Sequence, residues 1–299
     1  MTWPNFLQLV VSGLAMGAIY TLTAKGLYIA HLATHRMNFG QGDFLMIGAF
    51  LSLALMGARV PVYVVIPLVV LLLAGGGWAL ERLCIRPLDR LGLRGGGEYS
   101  WILTTAGAAL ILQNAAELVW GKSAQYSPPL FSSSRDHVLR LLGVGIYSEQ
   151  LAVIFASVLV VATLYWFLYA TRWGKAVYAV AFNPGTAPLL GIDVRRMVVV
   201  VFAIASALAG ISGVLSGPIM LVHPHMGLVF TVKGLAVAAV GGFANPLAIL
   251  SGGVLFGLAE SFSNYFDSNF GDLYPLLAVL ALLILRPTGL VGERRTEVR

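Results

Sequence analysis

The sequence predicts an all-α membrane protein, a polytopic helical bundle, and two observations support this. Of the 299 residues, 58% are apolar and only 11% are charged, whereas soluble domains carry about 25% charged residues. The mean hydropathy is +0.85, and apolar runs of about 20 residues recur, enough to cross the ~30 Å hydrocarbon core of a bilayer. So few charges cannot cover a globular enzyme, and disorder requires the opposite composition.

Nine apolar runs are candidate membrane spans. They lie at 6–29, 39–57, 60–80, 99–119, 150–170, 197–216, 228–244, 247–266 and 273–286. The runs at 39–57 and 228–244 are short and rich in glycine, so each is also a candidate for a re-entrant segment. We therefore expect eight to ten transmembrane segments in a single transmembrane domain, 1–299.

Small residues one helical turn apart predict where these spans pack closely. Three G-x-x-x-G patterns lie within apolar runs, at Gly13/Gly17, Gly213/Gly217 and Gly253/Gly257. Glycines at this spacing let two helix backbones approach each other. The patterns therefore predict a compact bundle.

The basic residues are distributed unequally between the two sets of loops. Of the 19 Lys and Arg residues, 13 lie in four segments, 30–38, 81–97, 171–196 and 286–299. Because cytoplasmic loops carry an excess of Lys and Arg, we expect these segments inside the cell, with the N-terminus outside and the C-terminus inside. The formal net charge of +6 is thus spread over short loops beside membrane lipid, and no nucleic-acid partner is expected.

The two longest connections differ in character. The outer loop, about 120–149, contains two prolines and three consecutive serines and is expected to be irregular. The inner loop, 171–196, has apolar residues at helical spacing, among them Val177 and Val180, which predicts short amphipathic helices. Such a loop suits either docking to a partner protein or a position at the lipid interface.

Signatures of catalysis are missing from the sequence. The nearest match to a phosphate-binding P-loop is Gly121-Lys122-Ser123, but Ala116 stands where the motif requires glycine. The single cysteine, Cys84, excludes an internal disulfide and a cysteine-based zinc site. We therefore do not expect an enzyme, and we expect no catalytic residues, no metal site, no cofactor and no ATP-binding motif in this chain.

Two charged residues, Lys233 and Glu260, lie deep within neighbouring spans. Each is five or six residues from the same predicted outer face, and the two spans run antiparallel. An unpaired charge inside a bilayer costs about 2.5–3.5 kcal/mol on insertion scales. We expect Lys233 and Glu260 to form an intramembrane ion pair facing the bundle interior or a polar pathway. The alternative is that each faces its own water-filled crevice.

Five polar residues in or beside the spans are candidates for a substrate pathway: Asn38, Gln41, Asp43, Gln113 and Asn114. Together they would line a route for a polar solute. Polar side chains in membrane helices also form hydrogen bonds between helices, so a purely structural role stays open for each of them.

Four stretches of the chain together match one family. The first is 37–50, which reads MNFGQGDFLMIGAF. The others are 172–192 in the inner loop, 202–215 in the next span, and 233–260 across two glycine-rich spans. These stretches resemble the LivH-type permeases, the inner-membrane subunits of ABC importers for branched-chain amino acids.

The resemblance implies a role and a set of partners. It implies a multi-pass inner-membrane permease, with a periplasmic N-terminus and a cytoplasmic C-terminus, that pairs with a second, LivM-like permease. Two cytoplasmic ABC ATPase subunits would drive it and a periplasmic substrate-binding protein would supply it, so the ATP-binding motif would belong to another chain. The inner loop, 171–196, would then couple to the ATPases, with Gly174, Ala181 and Gly191 in the coupling segment.

Other classes of transporter stay open from the sequence. A self-contained secondary transporter of a small polar solute would contain broken helices, and 38–48 and 241–253 are both interrupted by glycine. A channel would require a ring of like polar residues, and the sequence has no such repeated element. The substrate is open as well, between a branched-chain amino acid, urea, a short amide and an aromatic acid.

Overall fold

A computed structural model of the chain describes residues 3–87, 100–130, 138–141, 144–243, 246–286 and 289–290. Ten α-helices, α1 to α10, run through these residues in the order Trp3–Thr34, Gln41–Gly57, Val62–Leu80, Ser100–Trp120, Ser148–Ala170, Arg172–Phe182, Val194–Ser216, Met226–Gly241, Pro246–Phe266 and Leu273–Leu285. A π-helical turn, Glu81–Ile85, extends α3, and a 3₁₀ turn, Ala187–Leu190, lies between α6 and α7.

The fold class is confirmed, and the nine candidate spans correspond to nine of the helices. Six helices are long and apolar enough to cross a membrane, and α2, α8 and α10 are shorter apolar helices. The remaining helix, α6, is the amphipathic helix expected in the inner loop. Helices this apolar bury only part of their surface within the chain, so lipid or a partner covers the rest.

One part of the outer loop is more regular than expected, and its three serines, 132–134, lie outside the described residues. The sequence predicted an irregular segment over about 120–149, whereas Val138–Leu141 and Val144–Tyr147 form an antiparallel hairpin, β1 and β2, with Val138 paired to Tyr147. Valine, isoleucine and tyrosine favour strands. The proline and serine clusters, which predicted an irregular loop, precede this short run in the sequence.

Helices α1 and α9 pack backbone to backbone through glycines. A Cβ atom added to Gly253 would lie 2.7 Å from the carbonyl oxygen of Gly17, and one added to Gly13 would lie 3.0 Å from that of Gly257. Neither position has room for a larger side chain. Two of the three G-x-x-x-G patterns therefore face each other, as close helix packing requires.

Helix α7 packs in the same way against α2. A Cβ atom on Gly48 would lie 2.8 Å from the carbonyl oxygen of Gly210, and one on Gly213 would lie 2.6 Å from the amide nitrogen of Ala49. The same two helices carry the large buried side chains Phe50 and Phe202. The core of the bundle thus lies between α1, α2, α7, α8 and α9.

The loops gather at two opposite ends of the bundle. At one end the rings of His31 and Phe243 lie 5.1 Å apart, joining the ends of α1 and α8. At the other end Gln125 and Val222 form a β-bridge, with a 2.9 Å bond from Gln125 N to Val222 O. The relative grouping of the loops agrees with the predicted topology, and the direction across the membrane stays a prediction.

Candidate transport site

Helix α2 begins inside the bundle. The chain leaves α1 at Thr34, turns back, and starts α2 at Gln41, which is fully buried. The side-chain amide of Gln41 donates a 2.8 Å hydrogen bond to the carbonyl oxygen of Ala205. Ala205 lies about 16 Å along α7 from its first residue, at 1.5 Å per residue. The short glycine-rich run at 39–57 is therefore a helix that starts at mid-depth.

Helix α8 begins against the same point. The backbone amide of Gly42 donates a 2.9 Å hydrogen bond to Thr231 Oγ1, and that hydroxyl lies 3.2 Å from the carbonyl oxygen of Phe39. A Cβ atom on Gly42 would collide with the carbonyl oxygen of Gly227. The N-termini of α2 and α8, each carrying partial positive charge, thus meet within the protein.

Asp43 lies where these two N-termini meet. It is in the first turn of α2, and a Cβ atom on Gly227 would collide with its Oδ1 atom. Gln113 Nε2, from α4, donates a 2.8 Å hydrogen bond to the same oxygen. A carboxylate is favoured at helix N-termini, and the Gln113 amide adds a donor from a third helix.

The structure brings four of the five predicted pathway residues to this region. Asn38, Gln41 and Asp43 are each at most 1% exposed, and Asn38 Oδ1 accepts a 3.0 Å hydrogen bond from Gly40 N. The cavity beside Asn38 measures only about 10 Å³, so this conformation is closed here. Asn114 is exposed on another face of α4, where its amide donates to Leu110 O.

Lys233 and Glu260 lie next to each other between α8 and α9. Lys233 Nζ is 3.0 Å from Glu260 Oε1, and both residues are buried. The hydroxyl of Tyr20, on α1, donates a 2.7 Å hydrogen bond to the same carboxylate oxygen. Three helices therefore meet at one charged contact.

Glycine anchors α6 to the end of α5. The Thr171 hydroxyl caps α6 by accepting a 3.1 Å hydrogen bond from Gly174 N. A Cβ atom on Gly174 would collide with the carbonyl oxygens of Phe167 and Leu168, so only glycine fits. Ala181 is half-buried near the end of α6.

Gly191 ends the 3₁₀ turn in the left-handed conformation, with φ of +75°. Apolar side chains of the same loop are exposed: Phe182, at the end of α6, is 94% exposed, and Leu189, in the 3₁₀ turn, is 86% exposed. This end of the inner loop carries an apolar surface that the described part of the chain leaves uncovered.

Comparison with known proteins identifies the family. The model of the family described as "Branched-chain amino acid transport system / permease component" matches residues 9–285. The chain belongs to this permease family. No solved structure matches it.

The permease is similar to curated relatives over nearly its whole length. It is 28% identical to the high-affinity branched-chain amino acid transport system permease protein BraD of Pseudomonas aeruginosa, over 98% of each chain. It is 27% identical to LivH of Escherichia coli K12, over 98% of this chain and 97% of that one. A probable LivH of Methanocaldococcus jannaschii is 26% identical over 92% and 89%. These relatives are transport permeases and not enzymes, and the permease is a multi-pass membrane protein.

Two residues of the charged contact were not identified from the sequence. Asp272, just before α10, places Oδ1 3.2 Å from Lys233 Nζ, and Tyr20 was hidden in the apolar run of α1. An acidic residue in a short loop flanking the span of Glu260 is a signal that would have found Asp272. Tyr20 offered none, because its position opposite Lys233 depends on how α1 and α8 cross.

Tyr178 connects α6 to the bundle and was also not singled out for this role. Its ring centroid lies 5.5 Å from that of Tyr169 on α5. Burial raises the pKa of Tyr178 to about 12, with Tyr28 of α1 nearby, so its hydroxyl is neutral in the cell. Movement of α6 would thus reach both α5 and α1 through one side chain.

Proposed function

We propose that this permease imports branched-chain amino acids into the cytoplasm as part of an ABC importer. Its full-length likeness to BraD and LivH carries the proposal. It pairs with a second, LivM-like permease, takes substrate from a periplasmic binding protein, and is driven by two cytoplasmic ATPase subunits. The N-terminus is periplasmic and the C-terminus cytoplasmic, as the distribution of basic residues predicts.

The inner loop, 171–196, is the coupling segment in this proposal. The exposed side chains of Phe182 and Leu189 support this assignment, because an apolar surface of this kind marks an interaction site. Gly174 holds α6 tightly against α5, and Tyr178 packs toward α5 and α1. ATP-driven movement of a docked ATPase would therefore pass into the spans as movement of a rigid helix.

The meeting point of α2 and α8 is the proposed gate of the substrate pathway, with Asn38, Gln41, Asp43 and Gln113 around it. Helices that break inside a membrane supply binding groups to transported solutes. Separation of the two N-termini would free backbone amides at Gly42 and Gly227 to face the carboxylate of an amino acid. Asn114 lies on the surface of α4 and is not part of the proposed gate.

The alternative is a self-contained secondary transporter, which is also compatible with two helices, α2 and α8, that start inside the bundle. Energy dependence separates the two hypotheses, because a secondary transporter uses an ion gradient and an importer of the proposed type uses ATP. Urea, short amides and aromatic acids stay as competing substrates to be tested on the neighbouring binding protein.

Disruption of the apolar surface tests the coupling assignment. Phe182→Ser combined with Leu189→Ser should lower copurification of the ATPase subunits at least tenfold and abolish ATP-driven leucine uptake. Tyr126→Ser is the control, because Tyr126 is 83% exposed at the opposite end of the bundle. Unchanged ATPase binding in the double variant would reject the assignment of the coupling segment.

A further inference from the structure

A cavity of about 290 Å³ opens between α1 and α9, close to the charged contact. Its lining includes Ser12 from α1 and Glu260, Ser261 and Asn264 from α9. Since a water molecule takes up about 30 Å³ in the liquid, the space could hold one small organic solute. It is far larger than the cavity beside Asn38 and lies in a different part of the bundle.

Glu260 lines this cavity, and one of its two carboxylate oxygens is buried without a partner. Its Oε1 atom contacts Lys233 and accepts from Tyr20, but Oε2 has no hydrogen-bond partner among the described residues. Glu260 is only 6% exposed. A buried carboxylate oxygen without a donor is costly, so the site is suited to a ligand that brings N–H groups or positive charge.

The charges around Lys233 do not balance. Lys233 Nζ is 3.0 Å from Glu260 and 3.2 Å from Asp272, so one ammonium group serves two carboxylates. The cluster therefore carries a net charge of −1 when all three groups are ionised. Tyr20 adds a hydrogen bond and, with its ring centroid 5.3 Å from Nζ, a cation–π contact, but no charge.

We propose that the cavity between α1 and α9 is a binding site for a small monovalent cation, with Glu260 as its anionic ligand. The cation is the ammonium group of an amino acid or, alternatively, Na⁺. The choice of an amino acid rests on the proposed function, whereas the unpaired oxygen of Glu260 does not. Ser12 and Asn264 supply neutral oxygens to either ligand.

Charge-selective labelling tests the site in the full importer complex. The variant Ser12→Cys, made with Cys84→Ala, places one thiol in the cavity, and we compare cationic aminoethyl and anionic sulfonatoethyl methanethiosulfonate. We expect the cationic reagent to label this thiol faster than the anionic one. The ratio of the two labelling rates should be at least tenfold higher than the same ratio on a free thiol. Isoamylammonium chloride should slow labelling. Choline isovalerate should not, because its anion has the same carbon skeleton with a carboxylate in place of the primary ammonium group and choline is too bulky for a site of this kind.

Matched variants connect the result to Glu260. Glu260→Gln should remove both the preference and the protection, whereas Asp267→Asn should retain both, because Asp267 lies outside the cavity and contacts Tyr274. If Glu260→Gln fails to fold, Asp272→Asn keeps the ion pair and should still weaken the preference severalfold.

The protection experiments with different salts distinguish the two possible cations. Protection by NaCl but not by choline chloride or isoamylammonium would support a metal-cation site, and protection by isoamylammonium would support an ammonium site. Equal labelling by the two reagents, or equal protection by isovalerate, would overturn the proposal. If ATP-driven leucine uptake stayed intact in that case, the proposed function would survive without this site.

Discussion

The backbone of Gly42, at the start of α2, lies against the backbone of Gly227, at the start of α8. The approach leaves no space for a side chain, because a Cβ atom on Gly42 would collide with the Gly227 carbonyl oxygen. Two helices therefore begin against each other inside the bundle. Asp43, the next residue of α2, packs against the same glycine of α8.

Substitution of Gly42 by alanine should open this contact and destabilise the protein. Overpacking a filled site costs about 1–3 kcal/mol, so the melting temperature in detergent should fall clearly. Gly75→Ala is the control, because an added Cβ there meets nothing within 4 Å and alanine is the better helix former. Equal melting temperatures for Gly42→Ala and Gly75→Ala would contradict the close contact.

The two ends of the buried ion pair should respond unequally to mutation. Lys233→Met leaves both Glu260 and Asp272 without their cation and should cost about 3–5 kcal/mol. Glu260→Gln leaves Lys233 next to Asp272 and should cost less, about 1–3 kcal/mol. Thermal unfolding of both variants and of the double variant tests this order. If the double variant loses as much stability as the two single variants together, the coupling between Lys233 and Glu260 is rejected.

Mutation of two neighbouring residues on α4 should distinguish the proposed gate from the protein surface. Gln113→Ala removes the 2.8 Å hydrogen bond to Asp43, worth about 1.5–3 kcal/mol for a charged acceptor, and should lower leucine uptake severalfold. Asn114→Ala removes only a bond to its own helix and should leave uptake unchanged. Leucine uptake into vesicles, measured at equal protein levels, tests this difference. An equal loss of uptake in both variants would contradict the assignment of Gln113 to the gate.

Backbone conformation should decide which residues replace Gly191. Its φ of +75° is left-handed, and an added Cβ would meet nothing within 4 Å. Valine is strained there by about 1–2 kcal/mol, whereas asparagine tolerates this region. Gly191→Val should therefore uncouple ATP hydrolysis from uptake while membrane insertion stays normal, and Gly191→Asn should remain coupled. Normal substrate-stimulated ATPase activity and uptake in Gly191→Val would show that the turn is not part of the coupling path.

The sequence predicted the helices far better than the site. Hydropathy located nine apolar helices, because bilayer thickness sets the length of each run, and glycine spacing predicted close packing without showing that α1 and α9 are the partners. The equal depth of Lys233 and Glu260 could be read from span ends. Asp272 was missed, although its place in the short loop after the span of Glu260 was a signal, because its reach to Lys233 depends on the path of that loop.

The start of α2 at mid-depth was only partly visible. A short glycine-rich run indicated an irregular span, but its contact with Ala205 and Thr231 depends on tertiary packing. The same limit explains Asn114, which follows Gln113 in sequence and faces a different way. One residue along a helix turns the side chain by about 100°, and only the neighbouring helices determine which one faces inward.

Uptake into vesicles tests the central claim most directly. The permease purified alone should concentrate no leucine, with or without a sodium or proton gradient. Added together with the second permease, the ATPase subunits, the binding protein and ATP, it should accumulate leucine, and a nonhydrolysable ATP analogue should stop this. Accumulation by the permease alone on an ion gradient would contradict the account and identify a secondary transporter.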